Sequence, residues 1–429
     1  MQRRVLILGA GGFIGAQVAA AFDRAGWRVR ASARRPAASS LRAPGFEWVA
    51  LDFADPGAEW AGALAGVDAV INCVGALQDG ADDSLTAAHV DGPGRMIAAM
   101  HAAGVRRLVH VSAVGADDAA DTDYARTKVE TERMVVASGL QWVILRPSLV
   151  IGRGAFGGTG LIRALAAFPL VIPVVGGQQV FRPIFVEELA QAIVAATDAP
   201  AGLTADLGGP QAVTQAELLR KLRAWLGLRP APVWRVPLTL ARPALAVGDV
   251  LGRLGWASPL RTTSLAQMAH DVAGRDAPWP AAFGAPPRGL DAVLRQNPAS
   301  VQDVHHARLW FLRPVAIVTL SLFWIASGLI TFGPGWQASV ATLQAGGFGA
   351  LSPAIAGGGA VVDVLLGVAV LKRSWTSRAA VGMALVSIGY LIAGTLSLPH
   401  LWLDPLGPWL KVLPGVMLAL YVAATEARR

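Results

Sequence analysis

The chain has 429 residues, 54% of them hydrophobic and only 15% charged, with a mean hydropathy of +0.48. That length suits two or three domains, and the composition is too apolar for a wholly soluble protein. The formal net charge of +8 comes from scattered arginines that form no basic stripe, with lysine only at Lys128, Lys221, Lys372 and Lys411, so nucleic acid is not expected as a partner.

Arg3 and Arg4 ahead of an apolar run imitate the start of a secretory signal. Glycine breaks the run and no small-residue cleavage site follows, so a first β-strand over Arg4 to Leu8 is expected instead. Gly9, Gly11, Gly12 and Gly15 come next, and Gly11 to Phe22 reads as the start of a helix. The spacing G-x-G-x-x-G would need glycine at position 14, which is Ile14; G-x-x-G-x-x-G fits at Gly9, Gly12 and Gly15. One glycine permits the strand-to-helix turn, another admits the pyrophosphate to the backbone, and the third lets helix and strand pack closely. The phosphates would lie at the helix N-terminus, beside Phe13 and Ile14.

Further strand-like runs follow at Trp27–Arg34, Phe46–Phe53, Asp68–Gly75, Arg106–Gly115 and Gln141–Ser148, separated by Ala-rich segments of helical length. This alternation predicts an α/β fold: a Rossmann-like, doubly wound parallel sheet with helices on both faces. Arg34 and Arg35 stand where an acid would bind a ribose 2′-hydroxyl, and guanidinium groups suit a 2′-phosphate, so NADP(H) is favoured over NAD(H). Asp52, ending the third strand, either accepts from an adenine amine or caps a helix. The lone cysteine, Cys73, excludes a disulfide framework within the chain, the seven histidines show no HExxH pattern, and no metal site is expected.

Tyr124 and Lys128 are four apart and would share a helix face. An ammonium beside a phenol lowers its pKa from about 10 toward neutrality, which suits proton exchange with a carbonyl or alcohol oxygen. Ser112 ends the fifth strand, where a hydroxyl could polarise that oxygen. A capping box, Thr214 with Glu217, predicts a helix over Thr214–Leu226 inside a less regular, proline-rich region from Gly202 to Asn297. The expected domains are 1–230 for the nucleotide fold, 231–305 for a substrate-side lobe and linker, and 306–429 for an all-α four-helix transmembrane bundle.

Four charge-poor stretches of spanning length support the last of these: Pro314–Trp336, Ala350–Leu371, Ala379–Leu398 and Leu406–Ala424. Arg308, Arg313, Lys372, Arg373, Arg378, Arg428 and Arg429 all fall on one side of such a bundle. The positive-inside rule then puts both ends in the cytoplasm of a bacterial-type inner membrane, with Gly333–Gly349 and Ser397–Pro405 as outer loops. Asp363, in the second span, should face the bundle interior; Lys411 in the fourth span either pairs with it or snorkels outward.

The set Gly9-x-x-Gly12-x-x-Gly15, Asn72-Cys-Val-Gly75, Ser112, Tyr124-x-x-x-Lys128 and Arg146-Pro-Ser148 resembles an atypical or extended short-chain dehydrogenase/reductase. The flavour is that of the NmrA-like and complex I Rossmann-subunit branch. The membrane part resembles a DoxX-like domain. The resemblance implies Tyr124 as acid/base, Lys128 as its partner and ribose ligand, and Ser112 as positioner. It implies a cofactor site of Gly9, Gly12, Phe13, Ile14, Gly15, Arg34, Arg35, Asp52, Val74, Gly75, Lys128 and Pro147. Hydride transfer with a lipophilic carbonyl or quinone-like substrate is the leading expectation. The alternatives are a non-catalytic NADP(H) sensor or assembly factor for a membrane complex, and nucleotide-sugar epimerisation. The chain departs from the pattern in three places: only twelve positions separate Ser112 from Tyr124, Leu8 stands where many members have threonine, and Ser112 is a lone hydroxyl.

Overall fold

The computed structural model describes residues 2–76, 78–80, 84–116, 122–253, 256, 272–274, 279–405 and 407–426. Contacts divide the chain into two compact units: Met1–Gly252 with Ala257–Ala307, and Arg253–Trp256 with Arg308–Arg429.

The first unit is built on seven parallel strands: β1 Arg4–Leu8, β2 Arg28–Ala33, β3 Glu47–Ala50, β4 Ala69–Asn72, β5 Arg107–Val111, β6 Gln141–Pro147 and β7 Leu203–Leu207. Their spatial order is β7-β6-β5-β4-β1-β2-β3. All pairs are parallel, with Val5 opposite both Val29 and Ala69. β1 has the bounds expected of it, and β2 to β6 are each shorter than their apolar runs, whose outer residues lie in the connecting segments. β1 is buried on both faces, as a central parallel strand must be. Val5 and Ile7 pack with helix α1 (Phe13–Arg24) on one side; Leu6 and Leu8 pack with α3 (Trp60–Leu64) and α4 (Gly92–Ala103) on the other, α2 (Pro36–Arg42) being the short helix after β2. The expected Rossmann-like sheet is therefore present, with helices on both faces. The order reverses between β1 and β4, and the crevice at their carboxyl ends is where an open α/β sheet takes its ligand.

The helix expected at Thr214–Leu226 forms over Gln215–Trp225, with Thr214 and Glu217 closing a reciprocal capping box. Its Leu218, Leu219 and Leu222 join Ile172, Phe181 and Leu290 in a third core within the same unit.

Among the described residues the second unit carries four helices long and apolar enough to cross a membrane: Val301–Phe332, whose first seven residues belong to the first unit, Gly349–Ala369, Thr376–Ser397 and Pro408–Thr425. Two boundaries differ from expectation. The first helix begins well before Pro314, because Ser300 and Asp303 close its N-terminus with Ser300 Oγ donating to Asp303 at 2.8 Å. The stretch expected as an outer loop holds a short helix, Trp336–Ala345, between Gly335 and Gly346. Arg428 and Arg429 lie outside the described residues. Glycines bring the first two spans together: a Cβ on Gly328 would stand 2.6 Å from the Ala360 carbonyl, and one on Gly367 would stand 3.1 Å from that of Ser321. Asp363 is buried and accepts from the Ser327 hydroxyl at 2.9 Å and the Tyr390 hydroxyl at 3.4 Å. These hydroxyls, and not Lys411, are its partners, and Lys411 is exposed.

Candidate active site

The glycine turn is built as its spacing requires. Gly9 adopts φ +74°, a left-handed conformation that a side chain would strain. Gly12 is the residue before α1 and donates its N–H to the Gly9 carbonyl at 2.9 Å. A Cβ on Gly15 would stand 2.2 Å from the Gly9 oxygen, which no side chain could do. The amides of Phe13 and Ile14 occupy the first helical turn, where no carbonyl lies four residues back within the helix. This turn of backbone amides, with glycine at 9, 12 and 15, fits a pyrophosphate.

Val74 and Gly75 follow β4 directly behind this turn: a Cβ on Gly9 would meet the Cys73 and Val74 backbone at 3.2 Å. Asn72 accepts from the Val74 N–H at 3.0 Å and holds the loop. Helix α5 (Asp123–Ala137) is capped by Thr122, whose hydroxyl accepts from Ala125 N–H at 3.2 Å. It is tied to β6 by Glu132 and Arg146, 2.5 Å apart. Lys128, only 3% exposed, donates to the Val111 carbonyl at 3.4 Å, next to Ser112. A Cβ on Gly75 would stand 3.6 Å from Lys128 Nζ. The fold thus gathers Gly75, Ser112 and Lys128 at the carboxyl ends of β4 and β5. The Ser112 Oγ is buried without a hydrogen-bond partner among the described residues, a donor held ready for a ligand oxygen.

Tyr124 lies one turn before Lys128, with its ring edge-to-face on His89 at 5.6 Å. Its expected lowering does not appear. Burial pushes the phenol up to about 12, and no charge offsets it because the Lys128 ammonium is turned to the Val111 carbonyl. Burial also pulls Lys128 down to about 8, against the opposing pull of Glu132. The Cys73 thiol is pushed up to about 12 by burial and is no nucleophile.

Arg34 and Arg35 are exposed immediately after β2. Asp52 caps no helix; its Oδ1 accepts from the Ala54 N–H at 3.0 Å in a turn. Pro147 ends β6, and its carbonyl accepts from Val114 N–H at 3.2 Å. Among the described residues no cluster of histidine, cysteine and carboxylate side chains could hold a metal.

His89 is the residue that sequence reasoning missed. It is 1% exposed, and burial, with Lys128 adding to the effect, pulls it down to about 3. The ring is therefore neutral in the fold and free to protonate in the unfolded chain, whose ordinary value is 6.5. Its contribution is complete above about pH 6.5 and is lost as pH falls toward 3. Thermal melts from pH 7.5 to pH 4.5 should therefore fall less steeply for His89→Gln than for the natural protein. Equal slopes would show that His89 carries none of this dependence.

Comparison with known proteins agrees with the fold. Residues 9–163 match the family model described as NAD(P)H-binding, and residues 321–420 match the DoxX-like family. A (4-alkanoyl-5-oxo-2,5-dihydrofuran-3-yl)methyl phosphate reductase of Streptomyces griseus is 31% identical over 56% of this chain and 80% of its own length. A ceramide reductase of Caulobacter vibrioides is 29% identical over 53% and 71%. The 40 kDa subunit of NADH-ubiquinone oxidoreductase of Neurospora crassa is 25% identical over 48% and 53%. The solved structure of gox2253 shares the fold, with a TM-score of 0.52, 22% identity and coverage of 68% of this chain and 96% of that one. A nicotinamide-binding sheet with its glycine turn, followed by four membrane-crossing helices, makes this chain a multi-pass member of the NAD(P)-dependent short-chain dehydrogenase/reductase family, an oxidoreductase-type enzyme fused to a DoxX-like domain.

Proposed function

We propose that the protein is an NADPH-dependent reductase of a lipophilic carbonyl compound, working at a membrane surface. The observation that carries this is the convergence of a buried hydroxyl, Ser112, without a partner among the described residues, with Lys128 and the glycine turn at the carboxyl ends of β1, β4 and β5. The bound nicotinamide would supply a hydride to the carbonyl carbon. Ser112 donates to the carbonyl oxygen and orients it. As the carbonyl π pair moves onto that oxygen, Tyr124 gives it the phenolic proton, and the product is an alcohol. A phenol held up at about 12 is a donor at neutral pH, which suits reduction more than oxidation. Lys128 is assigned to the ribose hydroxyls, and its ammonium, hydrogen-bonded to the Val111 carbonyl, keeps a positive charge beside the site.

The lipophilic substrate is supported by the spans and by relatives whose names carry an alkanoyl group or a ceramide. A long-chain ketone and a quinone in nanodiscs, each with NADPH, test it. Loss of NADPH absorbance only in the presence of one of them is the expected result; no turnover on either, with NADPH bound, would favour a second reading. That reading, a nucleotide-binding sensor or assembly factor, is supported by the likeness to a respiratory-complex subunit and requires a stable membrane partner on affinity purification.

Arg34 and Arg35 are assigned to the 2′-phosphate. Arg34→Glu with Arg35→Glu should weaken NADPH at least about tenfold, or about 1.4 kcal/mol, with NADH changed much less. Fluorescence titration of both cofactors checks this, and equal losses would remove the assignment. The loop arginines and Lys372 support a cytoplasmic N-terminal unit and C-terminus, which protease protection in oriented vesicles tests.

A further inference from the structure

His89 lies in a π-helical turn, Ala87–Asp91, at the entry to α4. Such turns insert an extra residue and re-aim a side chain, and they recur at functional sites. Here the ring is aimed between two backbone segments. The Ala76 N–H donates to Nε2 at 3.2 Å, which makes Nε2 the acceptor and leaves the proton on Nδ1. Nδ1 then donates to Thr127 Oγ1 at 2.9 Å. Thr127 Oγ1 in turn donates to the Tyr124 carbonyl at 3.0 Å. The His89 carbonyl in turn accepts from the Thr131 hydroxyl, one turn further along α5. The chain of bonds runs from the loop after β4, through one imidazole, to the helix turn that carries Tyr124 and Lys128. The pair Val74 and Ala76 is thus pinned at both amides by side chains, Asn72 on one and His89 on the other.

We propose that His89 is a positioning residue: a neutral imidazole that clamps the Val74–Ala76 loop to α5, setting the distance between the nicotinamide side of the site and the Tyr124 hydroxyl. This rests on the reductase reading above. A simpler role, filling the core, would not need two polar contacts of opposite sense. The groups facing the ring are Tyr124, Thr127, Lys128 and Thr131 from α5, with Gly75 and Ala76 from the loop; the buried His110 of β5 stands close to the same Lys128. Neutrality is built in, since burial opposes protonation of His89 throughout the working pH range.

The two arms can be separated. His89→Gln places an amide oxygen near the position of Nε2 and keeps the loop arm. His89→Asn places an amide nitrogen near Nδ1 and keeps the helix arm, while His89→Leu removes both. Misplacement of a proton donor by about 1 Å costs on the order of 100-fold in rate. His89→Leu is therefore expected to lower kcat about 10- to 100-fold, with the NADPH dissociation constant changed far less, and Gln and Asn to recover part of the loss. Thr127→Val should cost little further in the His89→Leu background.

A second measurement does not depend on turnover. The chain has three tyrosines, so 3-fluorotyrosine labelling gives three fluorine resonances, with Tyr124 assigned by its loss in Tyr124→Phe. His89→Leu should move the Tyr124 resonance and its titration midpoint and leave those of Tyr390 and Tyr421 in place. An unmoved Tyr124 resonance with natural kcat overturns the clamp. A moved resonance in a protein whose Tyr124→Phe variant still turns over keeps the clamp and removes the catalytic role of Tyr124. If His89→Leu fails to fold, Gln, Asn and Thr127→Val decide the matter in the same spectra, and three unmoved Tyr124 resonances overturn the proposal.

Discussion

Tyr124→Phe is expected to lower kcat by about 10²- to 10⁴-fold, the usual worth of a positioned proton donor, while NADPH still binds. The substitution keeps the ring on His89, 5.6 Å between centroids, and removes only the hydroxyl. Affinity should therefore stay within a few-fold. The pH profile sharpens the expectation. Tyr124, held up at about 12, is protonated across the physiological range, whereas Lys128, pulled down to about 8, loses its proton first. Reductive kcat should be flat near neutrality and decline as pH rises through about 8, when the positive charge beside the site is lost. Turnover in Tyr124→Phe within a few-fold of the natural protein would remove Tyr124 from the chemistry.

Gly15→Val should abolish nucleotide binding. A Cβ at this position would stand 2.2 Å from the Gly9 oxygen, 2.8 Å from the Gly9 carbon and 3.0 Å from Ala10 Cα, all backbone, so nothing can rotate away. Either the strand-to-helix turn opens or α1 slides along β1, and in both cases the cradle for the pyrophosphate is lost. The NADPH dissociation constant should rise by at least about 100-fold, or about 2.7 kcal/mol, and overpacking should cost about 1–3 kcal/mol of stability. Gly45→Ala is the control, since its Cβ would meet nothing within 4 Å and its backbone is not left-handed. Titration by NADPH fluorescence and a thermal melt read both effects. Natural affinity in Gly15→Val would mean that the nucleotide is held elsewhere.

What could be read from the sequence was mostly local. The glycines at 9, 12 and 15 are three-residue spacings whose meaning is set by the strand before and the helix after. The Thr214 and Glu217 box closes on itself within one turn. The alternation of strand and helix carries the sheet order because parallel strands need crossovers. What escaped was long-range or depended on burial. His89 and Thr127 are 38 positions apart and meet only because α4 and α5 lie on the same face of the sheet. Asp363 finds Ser327 and Tyr390 from 36 and 27 positions away. The pKa of Tyr124 went opposite to expectation because helix spacing gives proximity of the lysine but not the direction of its ammonium. The helix at Trp336–Ala345 was hidden in a charge-free stretch, whose lack of charge does not specify its shape.

For the lipophilic substrate proposed above, the four membrane-crossing helices have a kinetic consequence. An enzyme held in a bilayer meets a bilayer-soluble substrate in two dimensions, so the concentration that governs its rate is moles of substrate per mole of lipid. At fixed total substrate, added empty vesicles would dilute the reaction without changing the bulk volume. An apparent KM in molar units would then describe the assay's lipid content as much as the protein.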